Sequence, residues 1–198
     1  MDKMKELVGK SMGAGILIAL GNYALLKLGN PIGPVIFAFG LLGVCYMGQN
    51  LFTGKCGFLF QDKIKILDLL IILIVNLVTG YLIGLVFSKM DPVVYQNAIE
   101  KVATWNISLS FFAKSIMCGI IMYIAVLMYR KQTPLGIIYG IPWFIFCGFQ
   151  HCIANVITLG VARTFDWSLI VCIAGNFIGS LFMWYISKDS VKEIKAKK

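Results

Sequence analysis

The chain has 198 residues, of which 59% are hydrophobic and 14% charged, and its mean hydropathy is +0.85. Soluble domains hold roughly 45–50% apolar residues, so this composition excludes an ordinary soluble fold and points to an integral membrane protein. The net charge of +9 does not indicate a nucleic-acid binder, because the basic residues flank apolar runs, where lysine and arginine set membrane orientation.

A helix crosses a bilayer with about 20 mostly apolar residues, and six such stretches occur. The first, 11–29, follows the polar segment 1–10 and is long enough to be a retained span, so no cleavable leader is expected. The second, 31–54, is long, rich in glycine and proline, and ends in Gly48-Gln49-Asn50-Leu51-Phe52-Thr53-Gly54, followed by Lys55. The third is 66–88. The fourth, 108–128, carries Lys114 one to two turns inside it; that lysine can snorkel to the headgroups or line a polar vestibule. The fifth, 134–162, lies in the uncharged run 132–162, which holds the only histidine, in Gly148-Phe149-Gln150-His151-Cys152-Ile153-Ala154-Asn155. The sixth is 167–187, and the basic tail 188–198 reads as a solvated helix end near anionic headgroups. The expected fold is therefore one all-α transmembrane domain over 1–198.

Thirteen of the 18 lysines and arginines fall on the side that carries both termini, which places those termini in the cytoplasm of a cell-membrane protein. Six cysteines are scattered, with no CxxC pair, and read as small apolar residues of a bundle.

Landmarks recur between the halves. Lys10-Ser11 and Gly15 match Lys114-Ser115 and Gly119; Gly40, Gly48 and Asn50 match Gly140, Gly148 and Gln150. Asn76 with Ser88-Lys89 matches Asn176 with Ser187-Lys188. Repeats over about 10–90 and 106–188, with three spans each, make an inverted 3+3 arrangement, a transporter architecture with its site near the midplane. The second and fifth stretches exceed the length one helix needs, so each is expected to break into two half-helices. Unwound backbone at that depth must be buried in protein or line a wet cavity, and a polar residue such as His151 there marks a functional site. The glycines at 15, 40, 48, 140, 148 and 179 read as close helix contacts.

The two segments resemble the signatures of the formate/nitrite transporter family, GxELFTG in the first half and GFEHSxAN in the second. The resemblance covers nearly the whole chain. It implies an aquaporin-like protomer, a homopentamer in membrane lipid, no cofactor and no metal. The cargo it implies is a small monovalent anion such as formate, nitrite, lactate, acetate or hydrosulfide, or the conjugate acid. It further implies His151 and Thr53 at the pore centre. Phe37, Leu51 and Phe144 would form an outer constriction, and Leu41 and Phe52 an inner one. Asn50, Gln150 and Asn155 would give polar support, Lys101 or Lys114 would be the family's vestibule lysine, and Lys55 would be a further basic vestibule residue. The chain departs from the pattern where Asn50 and Gln150 replace glutamates, Cys152 replaces serine, Gly119 follows Cys118 in place of asparagine, and Lys55 follows Gly54. Two lost carboxylates and a gained lysine make the pore surroundings more positive.

An ion crossing an apolar ring loses its hydration, at a cost of several kcal/mol or more; a weak acid avoids this by crossing protonated. His151 could donate the proton or hydrogen-bond the cargo, or equally be a structural bridge between helices. Phe37 and Phe144 could be packing aromatics, and Lys101 a solvated loop lysine. The alternative function is an aquaporin-like pore for neutral solutes, but the only Asn-Pro is Asn30-Pro31, followed by Ile32. An enzyme has little support: there is no HExxH and no clustered ligand set.

Overall fold

The computed structural model describes residues 2–196. Those residues contain nine helices and no strand: α1 (Lys3–Leu28), α2 (Ile32–Tyr46), α3 (Phe52–Cys56), α4 (Ile66–Met90), α5 (Pro92–Ala103), α6 (Leu109–Arg130), α7 (Leu135–Phe146), α8 (Cys152–Val161) and α9 (Ser168–Ala196). Of the basic tail 188–198, residues 197 and 198 lie outside the described residues.

α1, α4, α6 and α9 are long and apolar enough to cross a membrane. α1 starts eight residues earlier than hydropathy suggests. Asp2 accepts from the Met4 N–H at its N-terminus, and Glu6 pairs with Lys10 at 2.6 Å one turn on. Hydropathy finds the apolar part of a helix; capping and i,i+4 pairs decide where the helix begins. The second and fifth stretches each contain two shorter helices, α2 with α3 and α7 with α8. The turns between them begin at Gly48 (φ 63°) and Gly148 (φ 67°), a left-handed conformation that glycine adopts at little cost. Nothing lies within 4 Å of where a Cβ would stand at either position. Gly48 and Gly148 are thus turn glycines, and the expectation that they mediate close helix contact is corrected. Gly40 and Gly179 do serve that purpose: a Cβ at Gly40 would meet the Leu17 carbonyl oxygen at 2.6 Å, and one at Gly179 would collide with that of Ile116.

The freed backbone at each turn is paired by a buried asparagine. The Phe52 N–H donates to Asn76 Oδ1 at 2.8 Å, while Asn76 Nδ2 donates to the carbonyls of Ser11 (2.7 Å) and Asn50 (3.0 Å). The Cys152 N–H donates to Asn176 Oδ1 at 2.8 Å, and Asn176 Nδ2 to the carbonyls of Ser115 and Gln150, both at 2.8 Å. One amide and one carbonyl of each turn are thus satisfied without water, as an apolar surrounding demands, and the third bond ties the turn to α1 or α6.

Helix direction follows from end-to-end contacts. The beginnings of α1 and α4 meet around a cavity lined by Asp2, Lys10, Lys65 and Asp68, and their ends meet through Lys27 and Asp91. α6 and α9 run the opposite way: Arg130 pairs with Asp62 next to α3, and Ser187 bonds Tyr123 on the same side. α4 exposes Leu67, Ile74, Val78, Leu82 and Val86. Such an apolar surface suits lipid or a protein neighbour, not water.

α5 is not among the six expected stretches, because it has only 12 residues and carries Gln96, Asn97, Glu100 and Lys101. It is anchored instead by Asp91, whose carboxylate caps Val93 and Val94, pairs with Lys27 at 2.7 Å and accepts from Tyr23 at 2.9 Å. The Lys27 ammonium, then the Tyr23 hydroxyl and the two amides, hold the Asp91 carboxyl down to about 2. Asn97 adds a bond to the Leu26 carbonyl at 2.8 Å.

Replacing Asn76 or Asn176 by alanine leaves two backbone groups of the turn unpaired, at ~1–3 kcal/mol each before relaxation, the third partner being a carbonyl inside α1 or α6 that keeps its helical bond. Each variant is expected to lose about 3 kcal/mol, seen as a clearly lower thermal midpoint of the purified protein, whereas Ser187→Ala at the bundle end should shift it little.

Candidate functional site

His151 and Thr53 are 2% and 1% exposed and meet between the turns that precede α8 and α3, with Nε2 and Oγ1 2.8 Å apart. The Ala154 N–H donates to His151 Nδ1 at 3.1 Å, so the imidazole caps α8. Nδ1 is thereby an acceptor. The neutral ring carries its proton on Nε2 and donates to Thr53, a tautomer assigned from the hydrogen-bond network. Phe144 lies over the imidazole (centroids 5.9 Å, planes 27° apart) and meets Phe37 edge-on at 6.3 Å.

Two cavities flank this pair. On the α5 face a cavity of about 70 Å³ is lined by His151, Phe37, Phe144, Asn155, Gln150 and Lys101. Gln150 Oε1 accepts from Asn155 Nδ2 at 3.0 Å. On the opposite face a cavity of about 400 Å³ is lined by Leu41, Leu51, Cys45, Lys55, Tyr129 and Arg130. Leu51 therefore lies with Leu41 and not, as expected, with Phe37 and Phe144. α3 and α8 leave the middle in opposite directions, so the residues preceding them, Leu51 and His151, look toward opposite cavities. Phe52 lines neither cavity: it is 3% exposed and stacks on Phe177 with centroids 6.5 Å apart. Asn50 contributes its carbonyl to Asn76, and its side chain borders a separate cavity with Lys10 and Lys65.

The two lysines considered for the outer vestibule separate cleanly. Lys101, half-buried on α5, lines the His151 cavity and a neighbouring one of about 560 Å³. Lys114 is exposed on α6 and lines neither; only its carbonyl takes part, accepting from Gln150 N at 3.4 Å. Two features were not legible in the sequence. One is α5 itself, whose only signals were Asp91-Pro92 at its start and a modest amphipathic pattern. The other is Arg130, which hydropathy treats as one more basic residue at a span end. All six cysteines are free. Among the described residues no group of three or more His, Cys, Asp or Glu could hold a metal ion.

The sequence and the helical architecture have counterparts among known proteins. A family model described as "Formate/nitrite transporter" matches residues 2–166. The chain belongs to the formate/nitrite transporter family. It is 30% identical over 210 aligned positions to the "Uncharacterized transporter YrhG" of Bacillus subtilis (strain 168), covering 85% of this chain and 77% of that one. A solved structure described as "Pentameric formate channel with formate bound" superposes with a TM-score of 0.75 at 18% identity, covering 98% of each chain. Another, an "FNT family ion channel", superposes with a TM-score of 0.70 at 21% identity, covering 92% of this chain and 87% of the other. The shared fold is that of multi-pass membrane channels, and family membership makes this chain a channel or transporter.

Burial pushes the Lys101 ammonium down to about 8. The group is cationic below that pH and loses its charge as pH rises through it. Acylation of the Lys101 amine in the folded protein, read by mass spectrometry of the labelled peptide, should therefore rise through about pH 7 to 9, below the range of a solvated lysine.

Proposed function

We propose that this protein passes small monovalent weak-acid anions of the formate, nitrite, hydrosulfide, acetate or lactate class, and that they cross as the neutral acid with a proton. The observation that carries the reading is the buried Thr53–His151 pair, placed between two cavities that each hold at least one cation. Phe37 and Phe144 line the same cavity as His151 and Lys101, and Leu41 and Leu51 border the other cavity.

In this mechanism Lys101 on one face and Lys55 on the other raise the local anion concentration. The apolar residues then penalise a bare ion by several kcal/mol, so the species that enters the middle is the protonated one. His151 Nε2–H donates to Thr53 Oγ1 at rest, so the cargo meets it by exchanging with that bond. A ring protonated on Nδ1 as well would lose the Ala154 bond that caps α8, so the neutral imidazole is the form this geometry serves. The proton carried by the cargo comes from the vestibule water, because a neutral imidazole that accepts on Nδ1 has none to give without becoming an imidazolate.

An inverted 3+3 repeat with broken second and fifth spans is supported by the matched bonding of Asn76 and Asn176 and by the opposed directions of α1, α4 and α6, α9. A homopentamer is supported by the pentameric state in the description of the similar formate channel and by the apolar outer faces of the helices. The lysine and arginine distribution supports a cell-membrane location with both termini in the cytoplasm.

Proteoliposomes containing the full chain should show flux of formate and nitrite that rises as pH falls, because more of the neutral acid is then present. His151→Ala should lower that flux at least about tenfold, the cost of losing one oriented donor in an apolar site. Flux of every tested anion unchanged by this substitution would remove His151 from the mechanism.

A further inference from the structure

A neutral weak acid that reaches His151 meets a donor, Nε2–H, but still carries an acidic hydrogen that needs an acceptor. A polar hydrogen left unpaired in an apolar surrounding carries its full desolvation cost. Among the described residues, two buried side-chain atoms have no hydrogen-bond partner, Asn22 Oδ1 and Ser168 Oγ. Ser168 stands at the first turn of α9, next to the 162–167 loop. Asn22 is fully buried in α1, against α8. Its Nδ2 donates to Thr158 Oγ1 at 3.1 Å, and the Thr158 hydroxyl gives its own hydrogen to the Ala154 carbonyl at 3.1 Å. That hydroxyl can therefore only accept from the asparagine, so the amide is oriented with Nδ2 on Thr158 and Oδ1 bare.

Burying a bare carbonyl oxygen is unfavourable, and a bridge between α1 and α8 uses only the donor half of the amide. Asn22 stands behind the wall of the 70 Å³ cavity that His151 lines. Leu25, one turn after Asn22 in α1, lines that cavity, as do Phe37 and Ala154. Ala154 is the residue that Thr158 bonds, and Phe37 packs on the neighbouring Gly21, where a Cβ would meet its Cδ2 at 3.4 Å. A cavity of about 70 Å³ has room for about two waters or one small acid.

We propose that Asn22 Oδ1 is the acceptor for the acidic hydrogen of the protonated cargo, which makes Asn22 a residue that selects the neutral acid over its anion. Cargo has to part Phe37 from Phe144, which meet edge-on at 6.3 Å, and displacing the Phe37 ring from Gly21 uncovers the side chain next to it. A formic acid molecule in that opening donates its hydroxyl hydrogen to Asn22 Oδ1 before its carbonyl oxygen reaches His151 Nε2–H; the proton stays on the cargo throughout. Formate and nitrite ions bring only acceptors and would set lone pairs against Oδ1. This role rests on the proposed crossing of the cargo as a neutral acid.

Infrared difference spectra of the full chain in lipid, with asparagine isotope-labelled at the side-chain carbonyl, read this bond without transport. Formate added at about pH 4, where a carboxylic acid is partly protonated, should shift one asparagine carbonyl band to lower frequency, and at about pH 8 it should not. The shifted band should be absent from Asn22→Leu. In proteoliposomes the formate flux of Asn22→Leu should fall about tenfold, the weight of one hydrogen bond in an apolar site. Thr158→Val removes the same interhelix bond from the other side and leaves Oδ1 in place. It should lower the thermal midpoint as Asn22→Leu does, yet keep the flux within about twofold of the parent. No shift at acid pH, a shift at both pH values, or a shift that persists in Asn22→Leu overturns the proposal. Flux unaffected by Asn22→Leu, or lowered equally in both variants, also overturns it, because Asn22 is then only a bridge. The expected shift in a parent protein that carries no formate would overturn the proposed passage and leave the acceptor standing.

Discussion

Everything in this molecule depends on pairing backbone polar groups where water is scarce. A continuous helix does this by itself. A chain that interrupts a helix inside an apolar surrounding has to find partners for the freed groups, at a cost of roughly 1–3 kcal/mol for each one left alone. Asn76 and Asn176 are the partners. One side-chain amide offers an acceptor and two donor hydrogens, and each asparagine uses all three on backbone groups of its turn and of the neighbouring long helix. The turns can then be short, with Gly48 and Gly148 in left-handed conformations, and each leaves a side chain free to face the interior.

What the two turns present is not equivalent. At matched positions one offers Leu51 and the other His151, so only one polar ring enters the middle, and Thr53 from the other segment holds it. The imidazole is fixed twice, by Thr53 on Nε2 and by the Ala154 amide on Nδ1. A side chain held on both nitrogens has a defined tautomer and orientation. That suits a donor which must be ready without reorganising.

The charge around this centre is arranged with the same economy. Lys101 reaches the His151 cavity because α5 is docked by Asp91, through an ion pair, a tyrosine bond and two capped amides. On the other face Asp62 takes up the guanidinium of Arg130, while Lys55 makes no ion pair among the described residues. Asn50 and Gln150 put neutral amides, not carboxylates, beside the two turns. Gln150 in turn accepts from Asn155, a bond that keeps a neutral polar pair beside the imidazole.

The sequence by itself determined the membrane class, the position of each apolar stretch and the two signature segments, since composition, span length and motif spacing are one-dimensional properties; that His151 meets Thr53 was implied only by the resemblance to the family. It also displayed Asn76 and Asn176 as matched landmarks, but not that each braces a turn, because their partners Ser11 and Ser115 lie 65 and 61 residues away. Tertiary structure alone decided that Leu51 belongs with Leu41, that Phe52 packs on Phe177, and that Lys101 rather than Lys114 borders the histidine cavity. These are questions of which way a side chain looks once two short helices leave the middle in opposite directions and α5 folds over one mouth. Periodicity cannot answer them, because the turns reset the helical phase and the contact that docks α5 spans 68 residues.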